Sequence, residues 1–120
     1  MNKRSVGSDT EELACEFLRS QGALIIEKNY RCKNGEIDII ARDGKYICFI
    51  EVKFRKSTKF GEPEEAVSCN KQKRICKVSK FYLYSKYQSL DTSIRYDVVA
   101  ISPKEKILTF KWIKNAFDYR

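Results

Sequence analysis

The sequence predicts an α/β fold: a mixed β-sheet flanked by helices, in the order α-β-β-β-α-β-β. Three observations carry this. A helical apolar period opens the chain and returns near its middle, five short β-rich runs lie around these stretches, and one Asp-Gly pair separates two of the runs. The 120 residues suit a single domain, 1–120, with one core. A third of the residues are charged, but they alternate with apolar runs, which argues against disorder.

Each element has a local reason. Ser8-Asp9-Thr10-Glu11 has the spacing of a capping box, and Leu13, Ala14, Phe17 and Leu18 then recur at helical spacing until Gly22, so a first helix is expected over about 9–21. Ala23 to Glu27 reads as a short strand, followed by a polar turn around Asn29 to Asn34. Glu36 to Ala41 and Tyr46 to Lys53 flank Asp43-Gly44, a favoured hairpin pair. With Asp43 and Gly44 as the loop, Asp38 opposes Phe49 and Glu36 opposes Glu51. Glu36, Asp38, Glu51 and Lys53 then share one face, with Asp38 diagonal to Glu51.

From Glu62 to Lys86 the pattern is helical. Pro63 suits a first turn, Ala66, Val67, Ile75, Val78 and Tyr82 form an apolar face, and Asn70 is a potential break. Ile94 to Ile101 and Ile107 to Ile113 are the last strands, joined by turn residues from Ser102 to Glu105.

Lys and Arg number 24 against 16 Asp and Glu, a net charge of +8 with a basic excess in both halves. A polyanion is the natural partner of such a surface, because counterion release binds any phosphate backbone without reading its sequence. Histidine is absent, which excludes Ser-His-Asp and Cys-His hydrolysis, His-metal nucleases and the zinc-protease helix. Hydrolysis in this chain would have to run on carboxylates, lysine and a hard metal. The five cysteines are odd in number and form no CxxC pair, so neither a disulfide framework nor a zinc knot is expected; Cys15 and Cys48 read as small core residues. Apolar runs such as Tyr46 to Ile50 are far shorter than the ~18 residues of a membrane helix. Met1 to Leu13 carries Asp9, Glu11 and Glu12 and lacks a signal-peptide core, so a cytoplasmic location is expected.

Three carboxylates and a lysine within apolar strands admit two readings. They form either the wet face of a hairpin, with Glu51 and Lys53 as a surface ion pair, or a metal cage in which a divalent cation offsets their repulsion. Apolar residues on both faces toward the turn (Ile40, Ile47 and Phe49; Ile37, Ile39, Ile50 and Val52) mean a hairpin covered on both sides, which favours the cage. Lys71 to Lys80 holds five bases and no acid, a solvated face on its own and a phosphate-holding surface beside a cage. Tyr30, Tyr82, Tyr84 and Tyr87 fit core packing better than base stacking.

Gly35-Glu36-Ile37-Asp38, Phe49-Ile50-Glu51-Val52-Lys53, Lys71-Gln72-Lys73-Arg74-Ile75 and Arg95-Tyr96-Asp97-Val98 resemble the YraN family of small bacterial proteins. The match runs from Gly7-Ser8-Asp9-Thr10-Glu11-Glu12-Leu13-Ala14 to Asn115-Ala116-Phe117. That family is similar to the PD-(D/E)xK superfamily, with a restriction-endonuclease-like αβββαβ core nearest to archaeal Holliday junction resolvases. Ile37 stands before Asp38 where the superfamily name has proline. The resemblance implies that Asp38 and Glu51 bind Mg2+ or Mn2+ and that Lys53 orients or activates the attacking water. It implies that Glu12 supplies a further acid to the metal and that Gln72 is a polar helper. Glu36 is either a fourth carboxylate or the partner of a nearby base. The expected function is a divalent-metal-dependent endonuclease on DNA, branched or damaged structures included. The alternatives are a non-catalytic nucleic-acid-binding module that keeps the fold, and a scaffold whose basic helix docks on an acidic protein. The expected partner is nucleic acid, specifically DNA, and not a membrane; a homodimer would suit an enzyme that makes two cuts.

Overall fold

The computed structural model describes residues 6–54, 67–87 and 92–119. Helix α1 (Val6–Ser20) is followed by strands β1 (Leu24–Cys32), β2 (Gly35–Asp43) and β3 (Tyr46–Phe54), helix α2 (Cys69–Tyr87), and strands β4 (Ile94–Lys104) and β5 (Ile107–Phe117). The strands lie in the sheet in sequence order, β1-β2-β3-β4-β5. Every neighbouring pair is antiparallel except β3 and β4, which are parallel and therefore need the crossover that contains α2. The element order is the one the sequence predicts. The first six elements follow αβββαβ, and β5 adds an antiparallel edge.

The helices cover opposite faces. Ile75, Cys76, Val78, Tyr82 and Leu83 of α2 pack on Ile37, Ile40, Ile47, Phe49, Tyr96 and Val98. Ala14, Cys15 and Leu18 of α1 pack on Ile39, Ala41, Cys48, Ile50, Val99 and Ile101. Fully burying a residue such as Ile40 or Phe49 contributes roughly 1.5–3 kcal/mol, so the central strands are held from both sides. Among the described residues no helix is long and apolar enough to cross a membrane.

Several boundaries differ from expectation. Helix α1 begins at Val6, so Ser8 lies inside it instead of capping it. Its far end closes as expected at Gly22 (φ 98°), where the Ala23 N–H donates to Leu18 O and the Gly22 N–H to Arg19 O. β1 continues past Glu27 through the expected turn, because Tyr30 packs edge-on against the buried Tyr82 and the turn is confined to Lys33-Asn34. Helix α2 starts at Cys69 and runs unbroken through Asn70. Ser68 caps it, its Oγ accepting from the Lys71 N–H at 3.1 Å and its backbone O from the Gln72 N–H at 2.8 Å. The expectations for Pro63 and Ala66 lie outside the described residues. The last turn is Glu105-Lys106, with Glu105 at φ 58°, and not Ser102 to Glu105.

The register of the β2–β3 hairpin bears most on function. Asp43 pairs with Tyr46, so the loop is Gly44-Lys45, with Gly44 at φ 61° in the first central position that a type II′ turn reserves for glycine. The register is shifted by two residues from the expected one. An even shift keeps every side chain on its face but moves Asp38 from opposite Phe49 to beside Glu51.

Candidate active site

The β2–β3 ladder ends at Ile39–Ile50, so Asp38 and Glu51 are the next residues on their strands, where the two strands part. Asp38 also interrupts the alternation of β2. Ile37, expected on the face of Ile39, instead packs with α2, whereas Ile39 packs with α1 and Ile40 with α2 again, and Asp38 has no partner in the register with either neighbour. Across from it on β1, Asn29 takes φ 54°. This local break lets the Asp38 carboxylate accept the Val52 N–H at 2.9 Å, with groups of both helices within reach.

Glu51 lies on the α2 face in step with Ile47 and Phe49 and is only 4% exposed. Its Oε2 receives Lys71 Nζ at 2.8 Å, from the first turn of α2, and Lys53 Nζ at 3.7 Å. From the other layer Glu11 of α1 lies close enough to Asp38 for its charge to act on the Asp38 carboxyl. Three acids and two lysines thus converge. Burial raises the Asp38 carboxyl to about 6, the Val52 N–H opposing and the Glu11 charge adding to the rise. Burial and then the Asp38 charge likewise raise Glu51, with Lys71 and Lys53 pulling the other way. Burial pulls Lys71 down, and its pairing with Glu51 more than offsets this.

The structure thus brings Asp38, Glu51 and Lys53 together as the sequence anticipates. It does not bring Glu12. That residue turns to β1 and pairs with Lys28 Nζ at 2.7 Å and Arg19 at 3.8 Å. Helix geometry gives the reason. Glu11 is on the stripe of Ala14, Cys15 and Leu18 that faces the sheet, and Glu12 is ~100° further round. Gln72 is buried in the second position after Asn70, its Nε2 donating to Val67 O at 2.9 Å and its Oε1 without a hydrogen-bond partner among the described residues. Glu36 takes the plainer of its two roles, half-exposed and 3.8 Å from Arg31 across the β1–β2 hairpin. Sequence reasoning missed two members, Glu11, read as a capping residue, and Lys71, read as one base among five. Their spacing could have found both: Glu11 with Ala14 and Leu18, and Lys71 with Ile75, Val78 and Tyr82, are inward stripes. The tyrosines pack, Tyr82 against Tyr30 and Phe49, while Tyr84 is exposed and the Tyr87 side chain lies outside the described residues.

The donor set suits a hard divalent cation, since carboxylate oxygens in excess over nearby ammonium groups are what Mg2+ or Mn2+ takes. Burial first, and neighbouring carboxylate charge after it, raise the Asp38 and Glu51 carboxyls, and the lysines only partly offset the rise. Among the described residues no three ligands stand preassembled as a cage. Lys71 holds the counterion position on Glu51, and a cation would have to take its place.

The model of an uncharacterised protein family, UPF0102, matches residues 10–101. This chain belongs to the UPF0102 family. The family is also known as the YraN family, the one its motifs resemble, and the matched span holds all the residues of the cluster, leaving β5 outside. The UPF0102 protein of Caldicellulosiruptor saccharolyticus is 43% identical over 119 residues, 98% of this chain and all of the relative. That of Syntrophus aciditrophicus is 50% identical over 109 residues, 90% of this chain and 84% of the relative. A third, from Dictyoglomus turgidum, is 43% identical over 119 residues and also spans its relative completely.

Proposed function

We propose that this UPF0102 chain is a divalent-metal-dependent endonuclease that hydrolyses phosphodiester bonds in DNA. The observation that carries the reading is the meeting of Asp38 and Glu51 at the parting of β2 and β3, with Lys53 beside them, in a basic chain without histidine. Asp38 and Glu51 would hold Mg2+ or Mn2+, with Glu11 as the third carboxylate in the role first expected of Glu12. The bound ion would supply Lewis acidity toward the phosphate. The chain's own groups do the rest. The Val52 N–H fixes the Asp38 carboxylate, and Lys53, 27% exposed and 3.7 Å from Glu51, is placed to orient water or to stabilise charge developing on the phosphate.

The test is cleavage of supercoiled plasmid and of four-way-junction DNA with Mg2+ or Mn2+, comparing wild type with Asp38→Ala and Glu51→Ala. Cleavage lost in both variants supports the reading. Equal residual cleavage in all three preparations would trace it to a contaminant. One observation favours a second reading, a DNA-binding module that does not cut: the Lys71 ammonium already neutralises Glu51 at 2.8 Å. Salt-sensitive binding with no turnover under any metal would select it.

A further inference from the structure

Beside the carboxylates a cleft of about 490 Å3 opens between the β1–β2 turn and the first two turns of α2. Arg31, Lys71 and Arg74 bring three positive charges to its walls and Glu36 one negative, over a floor that includes Gly35 and Ile75. The single acid is only loosely engaged, 3.8 Å from the Arg31 Nε with both side chains mostly or half exposed. Arg74 has no ion-pair partner among the described residues. Lys71 belongs to both places, lining the cleft while its Nζ rests on Glu51 at 2.8 Å.

We infer that this cleft is a phosphate-binding site for a nucleic-acid strand, gripped by Arg31, Lys71 and Arg74, and that Lys71 couples it to the carboxylate centre. The cleft rests on charge and shape alone, whereas the coupling rests on the metal-site reading above. The physical need is clear. A strand brought to three acids meets repulsion, and the cleft next to them is where positive charge can offset it. When a cation takes Glu51, the Lys71 ammonium is released into a cleft it already lines, so the site for the strand gains charge as the metal binds. Linkage makes the effect reciprocal: metal tightens strand binding and the strand tightens metal binding by the same factor.

Binding measurements on the full-length protein test this without any turnover. A labelled 12-nucleotide DNA strand is titrated by fluorescence anisotropy over a range of salt, and Mn2+ binding is followed separately by calorimetry. Arg31→Ala and Arg74→Ala, both at exposed positions, should each weaken strand binding about tenfold and reduce the salt slope by roughly one ion. Lys106→Ala, on the far β4–β5 turn, should change it less than twofold. Lys71→Met should weaken strand binding about tenfold and yet tighten Mn2+ binding, since it removes the internal competitor on Glu51. Strands with 5′-phosphate and 5′-hydroxyl ends distinguish the source. Equal affinity assigns an internal phosphodiester to the cleft, and a preference of tenfold or more for the 5′-phosphate assigns a terminal one.

If Arg31→Ala and Arg74→Ala bind like wild type, or no better distinguished than Lys106→Ala, the cleft is not the site. If Lys71→Met weakens Mn2+ binding, the coupling is wrong. Loss of cleavage under every metal, with strand binding still sensitive to Arg31 and Arg74, would remove the nuclease reading and leave the cleft standing.

Discussion

Two acidic clusters, each around one buried carboxylate, lie in this sheet only one strand apart, and they are built on opposite plans. Asp97 of β4 pairs in register with Ile50, the neighbour of Glu51, and is fully buried. Each of its oxygens is provided for. Oδ1 accepts from Arg95 Nε at 3.0 Å and from the Asn115 N–H at 2.8 Å, and Oδ2 from Arg95 Nη2 and Trp112 Nε1, both at 2.9 Å. Arg95 reaches on to Asp43 at 2.9 Å, flanked by the rings of Tyr46 and Trp112. Among the described residues Asp38 has one backbone donor and the Glu11 carboxyl near it, and Glu51 is paired with lysines. The difference teaches what a buried carboxylate is for. One whose lone pairs are all used is part of the scaffold, and one kept short of donors among other acids is what the proposed metal site requires.

The contrast breaks most visibly at Asp97. Asp97→Ala leaves the Arg95 guanidinium, only 12% exposed, without its main partner, and a loss of roughly 3–5 kcal/mol in urea unfolding is expected. A midpoint within 0.5 kcal/mol of wild type, on the order of an ordinary surface change, would mean that the satisfied cluster does not hold the fold. Asp38→Asn has the opposite sign. It relieves a charge that burial disfavours, so the metal-free protein at pH 8 should gain on the order of 1–2 kcal/mol while Mn2+ binding is lost. A loss of stability in EDTA would refute the idea that this acid is held at a cost.

Titration sharpens the same comparison. The folded Asp38 carboxyl is at about 6 against 3.8 unfolded, so between these values the folded state keeps a proton that the unfolded state has released. Stability therefore declines as pH rises from about 4 to about 6, and Glu51, also raised, acts in the same direction. Asp43 does the reverse. The hydrogen bonds from Arg95 and Lys114 hold it below the usual carboxylate range, so its contribution is present above that range and lost as pH falls through its folded value. Unfolding midpoints from pH 3 to pH 8 in EDTA should show the decline in wild type, a shallower decline in Asp38→Asn, where burial of Glu51 still acts, and a smaller acid-side loss in Asp43→Asn.

How far each cluster could be read from sequence follows from what fixes it. Periodicity and turn chemistry are local, so the element order and the two covered faces of the hairpin were legible, and so were Asp38, Glu51 and Lys53 as neighbours. The two-residue error in register came from placing Asp43 inside the loop. Only the backbone of Gly44 decides between Asp43-Gly44 and Gly44-Lys45, and both choices keep the same faces. The Asp97 network was illegible because it joins β4 to a distortion of β5 at Asn115, φ 56°, that no local pattern announces. Cys48 reads correctly as a core residue. Burial and the Asp97 charge push its thiol up to about 12, which leaves it unreactive.

The smallest effect separates two adjacent residues. Glu11 and Glu12 have the same chemistry, and only the turn of the helix puts one against Asp38 and the other against Lys28. Glu11→Gln keeps the shape but removes a charge from the cluster, so Mn2+ affinity should fall severalfold while the urea midpoint holds. Glu12→Gln removes the partner of an exposed lysine, so Mn2+ affinity should stay within twofold of wild type. If the two responses were exchanged, the stripe of Ala14, Cys15 and Leu18 would be the wrong guide to the face of α1 that meets the site, and the resemblance that pointed to Glu12 would be the better one.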